Sequence, residues 1–192
     1  MTKLVWAFLS ILAGIVLGLS LTALSVERAP DFGVIEAGPW ITRPRIGAAE
    51  ADPYSKALMA ARGEIPVASA EGIALHASRD STGRPLTGDC TYRVAGPIPS
   101  AGFWTLSVHR SDGSTAEAAG LRGGYTSSEV LFFENAAPEF MLSPEPQPGN
   151  WLALQPGVGF ELVLRLYDTQ VSANVAALDA GAVPAIFRQV CR

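Results

Sequence analysis

An uninterrupted apolar run near the N-terminus limits what this chain can fold into more than any other feature. Residues 4–24 form a run of 21 residues without an ionisable side chain. At about 1.5 Å of rise per residue, a helix of this length spans roughly 30 Å, which is the thickness of the hydrocarbon core of a bilayer. The run therefore predicts a transmembrane helix over residues 4–24 that anchors the chain in a lipid bilayer.

A cleaved signal peptide is the alternative explanation of the same run. Lys3 precedes it, and Ala23-Leu24-Ser25 resembles a small-residue cleavage site. The apolar part of a signal peptide is only about 7 to 15 residues long, so the length favours a retained anchor. The flanking charges barely distinguish the two orientations, but one N-terminal anchor before a large domain favours export of that domain.

Small side chains recur at every fourth position of the predicted anchor. This spacing places them in one stripe along a helix, where a second helix can approach closely. The alternative is that small residues are simply common in membrane helices. The stripe is a candidate surface for self-association or for a partner helix, and it consists of Ser10, Gly14, Gly18 and Thr22.

The charge of the chain argues against one class of partner. The formal net charge is -4 and the pI is near 5.2, and the 14 Lys and Arg residues are scattered along the chain. Binding to nucleic acid requires clustered cations that neutralise phosphates. We therefore expect no nucleic-acid partner.

The remainder of the chain divides into a tether and one domain. Residues 25–50 lack periodicity and contain several prolines and glycines, which predicts an extended tether that docks on the domain through Trp40 and Ile41. Residues 51–192 are long enough for a single domain with its own core. A short helix should open this domain, because Asp52 is a good N-cap and Pro53 suits the first helical position.

Beyond Glu64 the sequence changes to short alternating runs separated by turn residues. This pattern is typical of a mostly β fold, here an antiparallel β-sandwich. The predicted strands are 72–78, 90–95, 103–110, a segment around 130–133, 140–143, 159–167 and 183–190. Alternation then assigns one face of these strands to the core, namely Ile73, Leu75, Ala77, Tyr92, Val94, Trp104, Leu106, Val108, Phe160, Leu162, Leu164 and Leu166.

The two cysteines, Cys90 and Cys191, are about 100 residues apart. Outside the cytoplasm they can pair, and closing so long a loop stabilises a fold by up to about 4.7 kcal/mol on the chain-entropy model. The alternative is two separate buried thiols. We expect the disulfide, because it would fix a C-terminal strand that otherwise frays. Two distant cysteines and two distant histidines do not suit a tetrahedral metal site, so we expect no metal and no cofactor.

Four motifs along the predicted strands resemble those of a known family. The motifs are Tyr92-Arg93-Val94-Ala95-Gly96-Pro97, Phe103-Trp104-Thr105-Leu106, Asn150-Trp151-Leu152 and Arg165-Leu166-Tyr167. They resemble, in the same order, those of the bacterial family called domain of unknown function 1214, and the resemblance covers roughly residues 72–190. It implies a jelly-roll sandwich, and it supplies no established activity and no catalytic residues.

The same resemblance implies a partner and a location. Members of the family often carry a companion domain, domain of unknown function 1254, that this chain lacks, so a separately encoded partner protein is implied. Because the family is bacterial, the predicted anchor becomes a helix that crosses the inner membrane once, and the predicted export of the C-terminal domain places it in the periplasm.

Polar residues at outward positions of the predicted strands are the candidates for chemistry. The most specific catalytic motifs, such as G-x-S-x-G and H-E-x-x-H, do not occur. On a concave face, histidines can act as acid or base, arginine can clamp a carboxylate and tyrosine can donate or stack. The simpler alternative is that these residues only face solvent. The candidate ligand-binding residues are His76, Arg93, His109, Glu161, Arg165 and Tyr167.

Three functions are compatible with this sequence. The first, which we prefer, is a non-enzymatic envelope module that binds a partner protein or a ligand while the anchor positions it. The second is an envelope hydrolase that uses the acid, base and cationic groups of the polar face, and it predicts that these groups cluster. The third is a purely architectural protein that binds no small molecule.

Overall fold

An N-terminal helix and a β-sandwich are the two main parts of the protein. The computed structural model describes residues 2–27, 33–44, 46–48, 50–62, 65–110, 122–132, 137–172, 175 and 178–191. Helix α1 spans Thr2–Glu27, which confirms the predicted apolar helix. Its segment Thr2–Ser25 is long and apolar enough to cross a membrane, and its most apolar part is not buried against the remainder of the protein.

The predicted short helix is also present. Helix α2 spans Pro53–Arg62, and Asp52 caps it, because Asp52 Oδ1 accepts hydrogen bonds from the backbone N–H groups of Tyr54 at 2.9 Å and of Ser55 at 3.0 Å. A carboxylate at this position satisfies amide groups that the first turn of a helix leaves without partners. A short 3-10 helix follows much later, at Gln170–Ser172.

The strands form two sheets that pack face to face, as predicted for a sandwich. The larger sheet consists of β1 (Ile35–Ala37), β2 (Trp40–Thr42), β3 (Gly72–Ala77), β5 (Phe103–Arg110), β6 (Gly124–Thr126) and β9 (Phe160–Tyr167). The smaller consists of β4 (Cys90–Ala95), β7 (Glu139–Ser143), β8 (Asn150–Ala153) and β10 (Ala185–Cys191). The strand orders are β1-β2-β3-β9-β5-β6 and β10-β4-β7-β8.

The core lies between the sheets, and alternation identified it correctly. Every predicted core position on β3, β4, β5 and β9 is buried, and the smaller sheet adds Phe140, Leu142, Leu152 and Ile186. The central strand β9 pairs with β3 on one side and with β5 on the other. A strand with partners on both sides and a long apolar face is thus the centre of the larger sheet.

Two features of the sheets differ from the prediction. Strands β7 and β8 run parallel, with Phe140 opposite Asn150, so the smaller sheet is mixed and not purely antiparallel. The segment around 130–133 is not a strand over its described residues 130–132. Its position beside β8 is fixed instead by Asn150, whose side chain bonds both the backbone N–H and the carbonyl of Leu131 at 2.8 and 2.9 Å.

Part of the predicted tether belongs to the larger sheet. Strands β1 and β2 form a hairpin, and β2 pairs with β3. Trp40, which we expected to dock, is fully buried, and its indole N–H donates to the carbonyl of Pro184 at 2.6 Å. The hairpin turn uses Gly38 at a positive φ of 57°, a conformation that glycine adopts at little cost. The larger sheet therefore includes two strands that precede residue 51.

The predicted disulfide is present. Cys90 and Cys191 are bonded, and their Cα atoms lie 4.0 Å apart. Cys90 is the first residue of β4, and Cys191 is the last residue of the antiparallel strand β10 beside it. Strand β10 is an edge strand whose only ladder partner among the described residues is β4. The disulfide therefore joins the last residues of an edge strand to the interior strand beside it.

A third layer covers the outer face of the larger sheet. Val163 points away from the sandwich core, yet its side chain is only 2% exposed. Residues that precede and follow α2 lie over this face, and Gly47 packs so closely on the backbone of Val67 that any larger side chain would collide with it. The sheet face that alternation assigned to solvent is thus partly enclosed.

Candidate functional site

The enclosed face of the larger sheet carries most of the predicted site residues. His109 lies directly opposite Glu161 in the pairing of β5 with β9, and His76 lies opposite Val163 in the pairing of β3 with β9. Arg165 follows two positions later on β9, between Ala74 and Thr105. Because side chains two residues apart share a face, these four polar groups project from three adjacent strands into one region.

This region is a cleft of about 320 Å³. Its floor is the sheet face with His76, His109, Glu161, Val163 and Arg165, and Arg43, just after β2, adds a second guanidinium. Its roof is formed by the segments around α2 and is largely apolar. The roof residues are Pro44, Ile46, Met59, Ile65, Pro66 and Val67. The volume is at the lower end of the range of roughly 300–1,000 Å³ that small-molecule sites occupy.

Hydrogen bonds and ion pairs orient the polar groups of the floor. His76 Nδ1 lies 3.4 Å from Glu161 Oε1. Ser107 Oγ lies 2.9 Å from His109 Nε2, and Arg165 donates a long hydrogen bond of 3.4 Å to the same hydroxyl. A carboxylate beside one imidazole and a hydroxyl beside the other limit the rotamers of both rings.

The charges of the cleft favour an anion. Arg43 and Arg165 each carry a permanent positive charge, whereas Glu161 is the one carboxylate among the described lining residues. Within the described part of the chain, no carboxylate lies within 4.0 Å of the Arg165 guanidinium. A half-buried guanidinium whose hydrogen bond is long retains donors for a planar anionic group.

Two predicted residues lie outside the cleft. Tyr167 is on the same sheet face, at the end of β9, but its ring packs at 6.0 Å from the ring of Phe103 and does not line the cleft. Arg93 is on β4, in the other sheet, where it pairs with Glu139 at 3.1 Å and lies over the ring of Phe187. The prediction grouped Arg93 with the others because alternation separates inward from outward positions but does not assign strands to sheets.

The roof and two polar residues near the floor were not among the predicted site residues. Arg43 lay inside the presumed tether, and Ser107 was not considered. The sequence did contain a sign of the roof. Val163 and Ala74 are apolar, although their positions would face solvent if nothing covered this face of the sheet. Apolar residues at outward positions indicate that something covers them.

No candidate metal centre is found in the part of the chain that the structure describes, where no group of three or more His, Cys, Asp or Glu side chains could hold an ion. The floor of the cleft offers instead hydrogen-bond donors, a carboxylate and two imidazoles. These groups can bind, orient and exchange protons with an organic ligand.

The small-residue stripe of the predicted anchor lies along the exposed surface of α1. Ser10 and Thr22 donate their hydroxyl protons to the backbone carbonyls of Trp6 and Gly18, at 2.9 and 2.8 Å. A Cβ atom added at Gly14 or Gly18 would meet nothing within 4 Å. The hydroxyl groups are thus satisfied inside the helix, as a lipid environment requires.

One solved structure is similar in fold, and a second gives a weaker match. The VPA0106 protein from Vibrio parahaemolyticus matches with a TM-score of 0.55 and 17% identity, over 72% of this chain and 36% of that one. A protein from Burkholderia cenocepacia that is described as uncharacterized matches with a TM-score of 0.44 and 19% identity, over 77% of this chain and 46% of that one. The chain thus corresponds to less than half of either protein.

The family resemblance inferred from the strand motifs is confirmed by a direct comparison. No curated protein matches the chain by sequence. The sequence profile of a family described as "Protein of unknown function (DUF1214)" matches residues 71–171, which include β3 to β9 and most of the floor of the cleft. The match covers more than half of the chain, and the chain therefore belongs to the DUF1214 family.

Proposed function

We propose that this chain is a binding module of the bacterial envelope, anchored in the inner membrane by α1, whose cleft holds a small anionic ligand. Three observations support the proposal. The N-terminal helix is long and apolar enough to span a bilayer. The disulfide suits an oxidising compartment such as the periplasm. The cleft combines a favourable volume with two guanidinium groups.

The position of Arg165 is the observation that carries the proposal. Its guanidinium lies in an enclosed cleft, and among the described residues it has one long hydrogen bond and no carboxylate partner. A partly desolvated cation without a counterion is costly, and an anionic ligand removes that cost. The planar fork of arginine matches a carboxylate with two parallel hydrogen bonds.

The other floor residues would set the orientation of the ligand. His76 is held by Glu161, and His109 is held by the hydroxyl of Ser107. A neutral imidazole has one donor and one acceptor nitrogen, so the His76 ring, whose Nδ1 faces Glu161, can contribute a hydrogen bond through Nε2 to a polar group of the ligand. Arg43 extends the positive charge towards the roof.

The test is a binding measurement on the full-length protein in lipid nanodiscs. The chain has two histidines, and both line the cleft, so their ring NMR signals report on this site. We expect butyrate to shift both signals and Arg165→Gln to weaken binding at least tenfold. Arg93→Gln is the matched control, because Arg93 already has a carboxylate partner on the opposite sheet, and it should leave binding unchanged. Equal effects of the two substitutions would contradict the proposal.

An envelope hydrolase is the second candidate, and the 2.9 Å contact between Ser107 Oγ and His109 Nε2 favours it. A hydroxyl next to an imidazole is the arrangement of an activated nucleophile. The same hydroxyl, however, accepts a hydrogen bond from Arg165 and does not line the cleft, which makes attack on a bound ligand difficult. Turnover of small esters that disappears in Ser107→Ala would favour the enzyme over the binding module.

A separately encoded partner remains part of the proposal. The VPA0106 chain extends well beyond the fold it shares with this protein, since the match covers 36% of it. A protein that carries the companion domain implied by the family could occupy the corresponding place, and the stripe of α1 could contact its membrane helix or a second copy of this chain. Crosslinking of the intact protein in native membranes, followed by mass spectrometry, tests both associations.

A further inference from the structure

We infer that the ligand of the cleft is a single-chain amphiphile with a carboxylate head, which enters from the membrane side. The inference rests on the proposed function and specifies the substance that the cleft holds. Its basis is the division of the cleft into a charged floor and an apolar roof, together with the contact between the roof and the anchor.

The roof fits a hydrocarbon chain. Met59, Ile65 and Val67 face the cleft opposite the polar sheet floor. A small polar ligand on the floor would leave this apolar surface in contact with water, whereas an alkyl chain would bury it. Ile65 is 91% exposed, so the apolar surface continues from the cleft to the outside of the protein.

The roof also includes a residue of α2, a helix that contacts α1. Helix α2 contributes Met59 to the cleft, and it contacts α1, the helix that would cross the bilayer. Tyr54, on α2, is half exposed. Exposed apolar side chains next to a membrane helix offer a path along which an amphiphile can leave the bilayer without exposing its chain to water.

The size and the charge of the cleft restrict the amphiphile. The volume of about 320 Å³ lies at the lower end of the range of small-molecule sites, which suits one short alkyl chain. Arg165 and Arg43 attract an anionic head, but Glu161 lines the same cleft and repels a second negative charge. A monocarboxylate therefore suits the site better than a phosphate dianion.

The experiment measures the affinity of n-alkyl carboxylates of four to ten carbons for the full-length protein in nanodiscs, from the histidine ring signals. Partitioning into empty nanodiscs is measured separately and subtracted. We expect the affinity to rise about fourfold per added methylene until the roof is covered. The alcohol of equal length should bind at least tenfold more weakly, and Arg165→Gln should reduce the carboxylate to the level of the alcohol.

A roof variant tests the position of the chain. Met59→Gln should reduce the gain in affinity per added methylene, because Met59 belongs to the apolar roof. A rapid-mixing experiment identifies the source of the chain. After decanoate is added to the water, the site should fill only as the nanodisc lipid fills; filling of the site before the lipid would overturn entry from the membrane.

The remaining outcomes separate the two proposals. If butyrate binds through Arg165 and longer chains bind no more tightly, the amphiphile is excluded and the anion site stands. If neither butyrate nor longer carboxylates bind, both proposals fail. If longer chains bind equally well to Arg165→Gln, the head is not held on the floor, and the inference is overturned.

Discussion

Asp80 is a fully buried carboxylate that joins two distant parts of the chain. Its side chain is 0% exposed. One oxygen accepts hydrogen bonds from the hydroxyl and the backbone N–H of Thr82, at 2.6 and 2.9 Å, and from the backbone N–H of Arg84 at 3.1 Å. The other oxygen lies 3.1 Å from Nε of Arg188 on β10. The turn after β3 and the edge strand β10 are thus held together by one negative charge.

The pKa of Asp80 predicts how stability depends on pH. Burial disfavours the charged carboxylate, but the hydrogen bonds from Thr82 and Arg84 and the charge of Arg84 outweigh it, so the pKa of Asp80 lies below its usual value. A pKa that is lower in the folded state contributes stability above the unfolded value of about 3.9, and this contribution is lost as the pH falls through the folded pKa. We expect Asp80→Asn to flatten the fall in the free energy of unfolding below about pH 4.

The same substitution has a cost at neutral pH. It leaves the largely buried Arg188 without its counterion, and breaking a buried pair in this way costs about 3 to 5 kcal/mol. Asp179→Asn is the control, because Asp179 is an exposed turn residue and its replacement should change stability by no more than about 0.5 kcal/mol. Urea unfolding of both variants at pH 7 and pH 3 measures the two effects. If D80N lost as much free energy of unfolding between pH 7 and pH 3 as the wild type does, the role assigned to the low pKa of Asp80 would be contradicted.

At the scale of elements, β10 is the strand that depends most on a covalent bond. It lies at an edge of the smaller sheet, its pairing with β4 is irregular between Arg188 and Cys191, and Val190 is exposed. Little apolar burial holds its last residues. The disulfide to Cys90 therefore supplies the constraint that packing does not.

Removal of the disulfide should destabilise the domain and release this strand. We expect Cys90→Ala with Cys191→Ser to lower the free energy of unfolding by about 2 to 4 kcal/mol, within the upper limit of about 4.7 kcal/mol for a loop of this length. Amide hydrogen exchange should rise first in β10. Dithiothreitol is the control: it should bring the wild type to the stability of the double variant and leave the variant unchanged. Equal stability of the oxidised wild type and the variant would contradict this role.

Elements with long alternating runs could be predicted from the sequence, and short ones could not. Strands β5 and β9 have eight residues each, with three apolar positions in phase in β5 and four in β9, and their core faces were identified correctly. Strands β1, β2 and β6 have three residues each, too few for a period of two to be recognised. They form because a neighbouring strand offers hydrogen bonds, which is information that local sequence does not contain.

Most residues of the candidate site could be predicted from the sequence, but their meeting in one cleft could not. His76, His109, Glu161 and Arg165 were identified because they alternate with core residues. Their meeting in one cleft depends on the pairing of β9 with both β3 and β5, and the inclusion of Arg43 depends on the pairing of β2 with β3. These contacts join residues far apart in the chain, so they follow from the topology and not from any local pattern.

At the scale of the whole molecule, the arrangement that we propose for the cell combines the apolar helix, the cleft and the disulfide. Helix α1 contacts α2, so a bilayer around α1 would lie next to the roof of the cleft. The disulfide forms readily only where the domain is outside the cytoplasm. A domain exported behind a retained anchor satisfies both conditions, whereas a cleaved N-terminal segment would separate the cleft from the membrane.

Topology is therefore the prediction on which the whole arrangement depends. We expect alkaline phosphatase fused after Arg192 to be active, because this reporter folds only outside the cytoplasm, and we expect Cys90 and Cys191 to resist alkylation until they are reduced. The intact mass of protein extracted from alkali-washed membranes should include residues 2–27. An inactive reporter with freely alkylated thiols would place the domain in the cytoplasm. An active reporter on a protein that begins near Ser25 would identify the apolar run as a signal peptide, and an amphiphile would then have to reach the cleft through water.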